Sequence, residues 1–171
     1  MSDARTTIDV LLDGFGRIRE LVEEIADELD DRTATLQVDR GANTPAWLLW
    51  HLTRVQDDHV AALAGVDQAW DAWADRFGLP FDHRDIGYGH GVEQVRQVRA
   101  SGRLLDDYHR DVDALTRTYV ESLDSTELSR VVDEDWDPPV TVGMRLVSVL
   151  GDAWQHAGQA AFVLGVARRT G

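Results

Sequence analysis

The 171-residue sequence contains no cysteine. Disulfides, iron–sulfur clusters, thiolate-held zinc and a cysteine nucleophile are therefore excluded. Lysine is also missing, so all 17 basic residues are arginines, and Schiff-base chemistry on a lysine, including anchored pyridoxal phosphate, is excluded. No apolar run approaches the roughly 20 residues that span a bilayer. Residues 1–10 are polar and lack the basic-then-apolar order of a signal peptide. A cytoplasmic protein with no membrane partner is expected. Positive charge is scarce as well: 31 acids against 17 bases leave a net charge of −14. A nucleic-acid partner requires a cationic footprint that displaces counterions, so none is expected.

What is present describes a helical protein. The hydrophobic content of 43% suits one core, and a single domain over residues 1–171 is expected. Four segments show apolar residues at spacings of three and four. The first covers residues 7–29, with Ile8, Leu11, Phe15, Ile18, Val22 and Ile25 on its stripe. The second opens at Thr44-Pro45, a capping residue followed by a proline whose missing N–H costs nothing in the first turn, and runs to about residue 63. The third is predicted as one helix over 92–123, with Gly102 permitting a kink, and the fourth covers 141–167. The segment 124–139 is polar, and its Val131-Val132 and Pro-Val-Thr-Val runs are too short to build a sheet. Residues 65–91 form a long connection rich in aromatics, which implies a functional loop or short extra helices. The reading is an all-α four-helix bundle with a long aromatic-containing loop between its second and third helices. Bundles of this kind place their sites between facing helices, and their apolar outer stripes suit a homodimer.

Three residues stand out. Asp152 and His156 are four apart and share one face of the fourth helix. At about 100° per residue, His156 falls within the apolar arc and Asp152 at its margin. His51 lies at the centre of the apolar arc formed by Trp47, Leu48, Val55 and Ala62. An imidazole in such a place must find either a hydrogen bond inside the core or a ligand. If the second and fourth helices are neighbours, two imidazoles and a carboxylate can share one divalent cation with positions left open, and such a set accepts zinc.

The His51-Leu52 dipeptide and the run His156-Ala157-Gly158-Gln159, with Trp47-Leu48-Leu49-Trp50 and Phe77-Gly78-Leu79-Pro80 in matching order, resemble the DinB superfamily. That superfamily comprises metal-binding four-helix bundles and includes mycothiol-dependent maleylpyruvate isomerase and thiol S-transferases. The resemblance implies that His51, Asp152 and His156 hold a metal, zinc first and nickel second. It further implies a small thiol such as mycothiol acting on an electrophilic substrate. Many members carry His where this chain has Asp152, whereas the isomerase type carries Glu; aspartate keeps that charge with a shorter reach. The protein is thus expected to be a metal-dependent thiol transferase or a mycothiol-dependent isomerase. The alternative is a non-catalytic metal-bound scaffold, or a protein that binds a small ligand or partner. No catalytic acid or base is singled out. Asp58, on the His51 face, could orient a ligand; Gln159, one turn beyond His156, could support the site; and Arg145 could meet an anionic substrate. Each also has an ordinary reading as a capping carboxylate, a surface amide and a salt-bridged arginine. His59 reads as packing. Trp70 and Trp73 are the tryptophans most open to a ligand-facing role.

Overall fold

A computed structural model of the chain describes residues 2–170. It is all-α apart from one two-stranded ladder, in the order α1 (Ser2–Asp27), α2 (Asp31–Ala34), α3 (Pro45–Ala64), α4 (Trp70–Phe77), α5 (Val92–Gln97), α6 (Gly102–Glu121), α7 (Ser125–Leu128), β1 (Val131–Asp133), β2 (Val140–Thr141) and α8 (Val142–Thr170). The four long helices α1, α3, α6 and α8 form the bundle. Helix α3 packs against α8 and α6, and α1 packs against the same two. The neighbour relation between α3 and α8 brings His51 and the Asp152–His156 pair into one groove. No helix among the described residues is long and apolar enough to cross a membrane.

The helices begin where local chemistry starts them. Thr44 accepts a hydrogen bond from the Trp47 amide at 3.2 Å, with Pro45 behind it, and Gly65 closes α3 in the left-handed conformation. The stripe of α1 is buried as read, from Ile8 through Ile25. Helix α3 differs from an amphipathic helix, because every residue from 45 to 57 is buried. Bundle neighbours cover one side, and the 65–91 connection folds back over the other.

The predicted third helix is in fact two. Ser101 caps a new helix by accepting from the Leu104 amide at 3.2 Å, and the chain is extended at Val98. Gly102 therefore opens α6 and does not kink a continuous helix. A Cβ at Gly102 would lie 1.9 Å from the Ala26 carbonyl oxygen, so the end of α1 rests on bare backbone there. The two short valine-containing runs, read as too short for a sheet, pair as an antiparallel ladder of β1 with β2. It remains a local clasp beside the bundle, and it brings Asp133 toward Arg145.

Candidate metal centre

Helices α3 and α8 bring three ligand-type side chains together. One donor atom from each of His51, Asp152 and His156 lies within 4.8 Å of the others. His51 is 3% exposed, and the Asp152 and His156 side chains are about one-fifth exposed at 21% and 18%. The two imidazoles meet edge to face with centroids 4.8 Å apart. Trp47, one turn before His51, stacks on it at 4.6 Å and an interplanar angle of 12°.

Hydrogen bonds settle which nitrogens are left over. His51 Nδ1 lies 2.5 Å from the Ile86 carbonyl oxygen, and His156 Nδ1 lies 2.8 Å from the Asp152 carbonyl oxygen. A carbonyl only accepts, so each Nδ1 carries the proton and each Nε2 presents its lone pair. Among the described residues, Asp152 Oδ2 is buried and has no hydrogen-bond partner, and His156 Nδ1, 3.4 Å away, directs its proton to the carbonyl instead. Two oriented imidazoles beside an unsatisfied buried carboxylate oxygen fit a divalent cation. Backbone carbonyls already supply the outer hydrogen bonds that such ligands require.

The charges agree with this arrangement. Burial pushes the His51 imidazole below its ordinary range, and the neighbouring His156 adds to that, against the opposing pull of the Ile86 carbonyl and Asp152. Burial also works against a charged His156, but the Asp152 side chain, carbonyl and charge outweigh it and leave His156 raised.

The segment after α4 holds His51 in place. Arg54, fully buried, donates to the Asp85 carbonyl at 3.4 Å. Asp85 Oδ1 accepts from the Gly87 amide at 2.7 Å, and its Oδ2 accepts from His90 Nε2 at 2.9 Å. His90 Nδ1 in turn accepts from the Trp47 indole at 3.1 Å. Gly87 has φ of +96°, and a Cβ there would come within 2.8 Å of His51 Nδ1. Tyr88 follows, its ring edge-on to His51 at 5.5 Å. For Ile86, Gly87 and His90 the sequence carries one signal, the glycine-rich run of residues 87–91.

Beneath them Asp57 accepts from the Ala69 amide at 3.0 Å, the Trp70 amide at 2.8 Å and the Tyr108 hydroxyl at 2.8 Å. It thereby caps α4 from across the fold. Burial raises the Asp57 carboxyl against these donors and the Arg54 charge.

The remaining sequence candidates lie around the cluster. Asp58 accepts from Gln68 at 2.8 Å, which ties α3 to the connection. Arg145 donates to Asp133 at 3.0 Å and joins His59, Ala62, Arg130 and Val132 around a polar cavity of about 410 Å³. His59 is held below its ordinary value by burial and then by the Arg145 charge. Gln159 is exposed and lines an apolar cavity of about 590 Å³ with Leu48, Trp154, Gly158, Phe162 and Val163. Trp70 and Trp73, read as the tryptophans most open to a ligand, are buried against Tyr108 instead. The aromatic connection spends these two rings on packing.

Fold and site together define a helical bundle with a two-histidine, one-carboxylate cluster between two of its long helices. The profile of the family described as Mycothiol-S-transferase matches residues 10–164, and the chain belongs to that DinB-like family. Among solved structures, a conserved protein from Enterococcus faecalis is similar, with a TM-score of 0.84 and 31% identity over 91% of this chain and 93% of that one. No curated protein matches the sequence significantly.

Proposed function

We propose that this protein is a metal-dependent thiol S-transferase. In this reading His51, Asp152 and His156 hold one divalent cation, zinc first and nickel second, and mycothiol is the thiol cosubstrate. The observation that carries the reading is Asp152 Oδ2, buried without a partner among the described residues, beside two imidazoles whose Nδ1 protons are committed to carbonyls. Membership of the Mycothiol-S-transferase family supports the choice of thiol and favours transfer over isomerisation.

A bound cation would supply a thiolate at neutral pH, because its charge stabilises the deprotonated sulfur. The chain has no cysteine, so the nucleophile must arrive on a small molecule. The protein's own residues orient and shield. Ile86 and the Asp152 carbonyl fix the two rings, Trp47 covers one face of His51, and Tyr88 stands at its edge. Three protein ligands leave coordination positions for a substrate atom.

The test pairs metal analysis with thiol consumption. Purified protein should retain about one zinc or nickel per chain, as expected of a single three-ligand site, and should consume mycothiol in the presence of an electrophile. His156→Ala should lose both metal and turnover while keeping its helical spectrum. A metal-replete protein that consumes no thiol with any acceptor would leave a scaffold.

A further inference from the structure

Helices α3 and α8, packed against each other, extend from the cluster toward the end of α3 and the start of α8. Arg145 precedes Asp152 by seven residues, about two turns or roughly 10 Å along the helix. His59 follows His51 by eight residues on α3. At this end Arg145, Arg130 and His59 converge on the polar cavity of about 410 Å³. Each of the three stands beside an acid, Arg145 by Asp133, Arg130 by Glu127 and His59 by Asp58.

The two arginines are positioned in advance. Arg145 Nη2 donates to Asp133 at 3.0 Å, and Arg130 lies 2.7 Å from Glu127 and donates to the Leu63 carbonyl at 3.3 Å. A guanidinium has five N–H donors in a fixed fork, and Asp133 engages Arg145 through Nη2 among the described residues. Arg145 precedes His156 by eleven residues, so at about 100° per residue the two lie on one face of α8.

We infer that this cavity binds a carboxylate on the electrophilic acceptor, with Arg145 as its principal donor, while the acceptor's reacting carbon lies at the His51–Asp152–His156 cluster. The inference rests on the thiol-transfer reading. Mycothiol bears no ionised group apart from its sulfur, so the anion belongs to the acceptor. In the transfer, the thiol sulfur bonds to the acceptor carbon as that carbon's bond to its leaving group breaks. The leaving group departs with the electron pair, and the thiol proton passes to solvent.

Two measurements test this. In the first, 4-(bromomethyl)phenylacetate and its carboxamide are compared as acceptors with mycothiol. In the second, the unreactive 4-methylphenylacetate and its carboxamide are titrated by calorimetry into the protein as purified and after chelation of metal. The carboxylate should be preferred about tenfold or more in both, the scale of a charge-assisted pair. Arg145→Gln should erase the preference. Asp133→Asn, which keeps the arginine and removes its competing carboxylate, should tighten carboxylate binding and carries the test if Arg145→Gln does not fold. A preference that survives Arg145→Gln, or carboxylate binding no tighter in Asp133→Asn, overturns the inference. Turnover of both bromides without preference, and with equal calorimetric binding, removes the anion site and keeps the transferase. Selective carboxylate binding through Arg145 with no thiol consumed keeps the anion site and removes the transferase.

Discussion

His51 Nδ1 lies 2.5 Å from the carbonyl oxygen of Ile86, 35 residues further along the chain. That contact makes the segment after α4 part of the His51–Asp152–His156 cluster, since it fixes the tautomer of its most buried imidazole. The segment is held on α3 from several sides, by Arg54 on the Asp85 carbonyl, by Trp47 on His90 and by Asp85 on its own turn. Gly87 permits the close approach.

Gly87→Ala should therefore damage the site without replacing any of its three side chains. Its Cβ would meet His51 Nδ1 at 2.8 Å, Trp50 at 3.0 Å and Trp47 at 3.2 Å, on a residue whose φ is +96°. The expected cost is about 1–3 kcal/mol of stability, together with weaker zinc binding. Chemical denaturation and a competitive zinc titration check both. Full zinc affinity in the variant would show that Ile86 does not set the ring.

Asp57→Ala should be among the most destabilising single changes. It would strand the Ala69 and Trp70 amides and the Tyr108 hydroxyl, and leave the buried Arg54 charge 3.6 Å from where its partner stood. Breaking one side of a buried pair typically costs about 3–5 kcal/mol. Urea unfolding measures it, and a loss below about 1 kcal/mol, the worth of an exposed pair, would contradict the account.

The legibility of the molecule from its sequence divides along the same line. Periodicity placed the stripe of α1, the start of α3 and the body of α8, because each obeys local spacing. It also singles out His51, Asp152 and His156, which the fold brings together, since polar groups on or beside apolar faces stand out on a helical wheel. Asp57 is not marked in this way, because it lies about 120° from His51 on the face of α3 that a two-sided helix would give to water, while Arg54 lies at the edge of the apolar arc, about 20° from Trp47. Only the fold-back of the connection buries that face, and Asp57 meets Tyr108 across 51 residues. The break before Gly102 is hidden in the sequence for a similar reason. Apolar spacing runs through Val95, Val98 and Leu105, whereas Ser101 acts as a cap and the Ala26 carbonyl occupies the space above Gly102.

Acid should destabilise the protein through His109. This imidazole is fully buried, accepts from Arg19 at Nδ1 at 3.1 Å, and is pushed down to about 3 by burial and by the Arg19 charge. Unfolded, it takes up a proton near pH 6.5. The folded-state value is the lower one, so its contribution is complete above about pH 6.5 and is lost as pH falls toward about 3. The slope approaches about 1.4 kcal/mol per pH unit. His109→Gln should flatten the dependence of unfolding free energy on pH between about 6 and 5, where most carboxylates are still ionised. An unchanged slope would mean that another group governs acid sensitivity.

Gly102→Ala should separate α1 from α6. A Cβ at 1.9 Å from the Ala26 carbonyl cannot be accommodated by rotating a side chain, so backbone must move. A loss of about 1–3 kcal/mol is expected, in the range of an overpacked core, with the metal affinity of the distant α3–α8 groove retained. Combined melting and zinc titration would detect a loss of affinity, which would show that the two regions are coupled.

The most direct measurement is a competitive zinc titration of the wild type beside His51→Ala, Asp152→Asn and His156→Ala, each confirmed helical by circular dichroism. The account predicts one tight site in the wild type and a loss of at least about tenfold in affinity for every variant, including the near-isosteric Asp152→Asn. Wild-type affinity in Asp152→Asn, or a tight site that persists without His51, would contradict the metal centre on which the proposed chemistry depends.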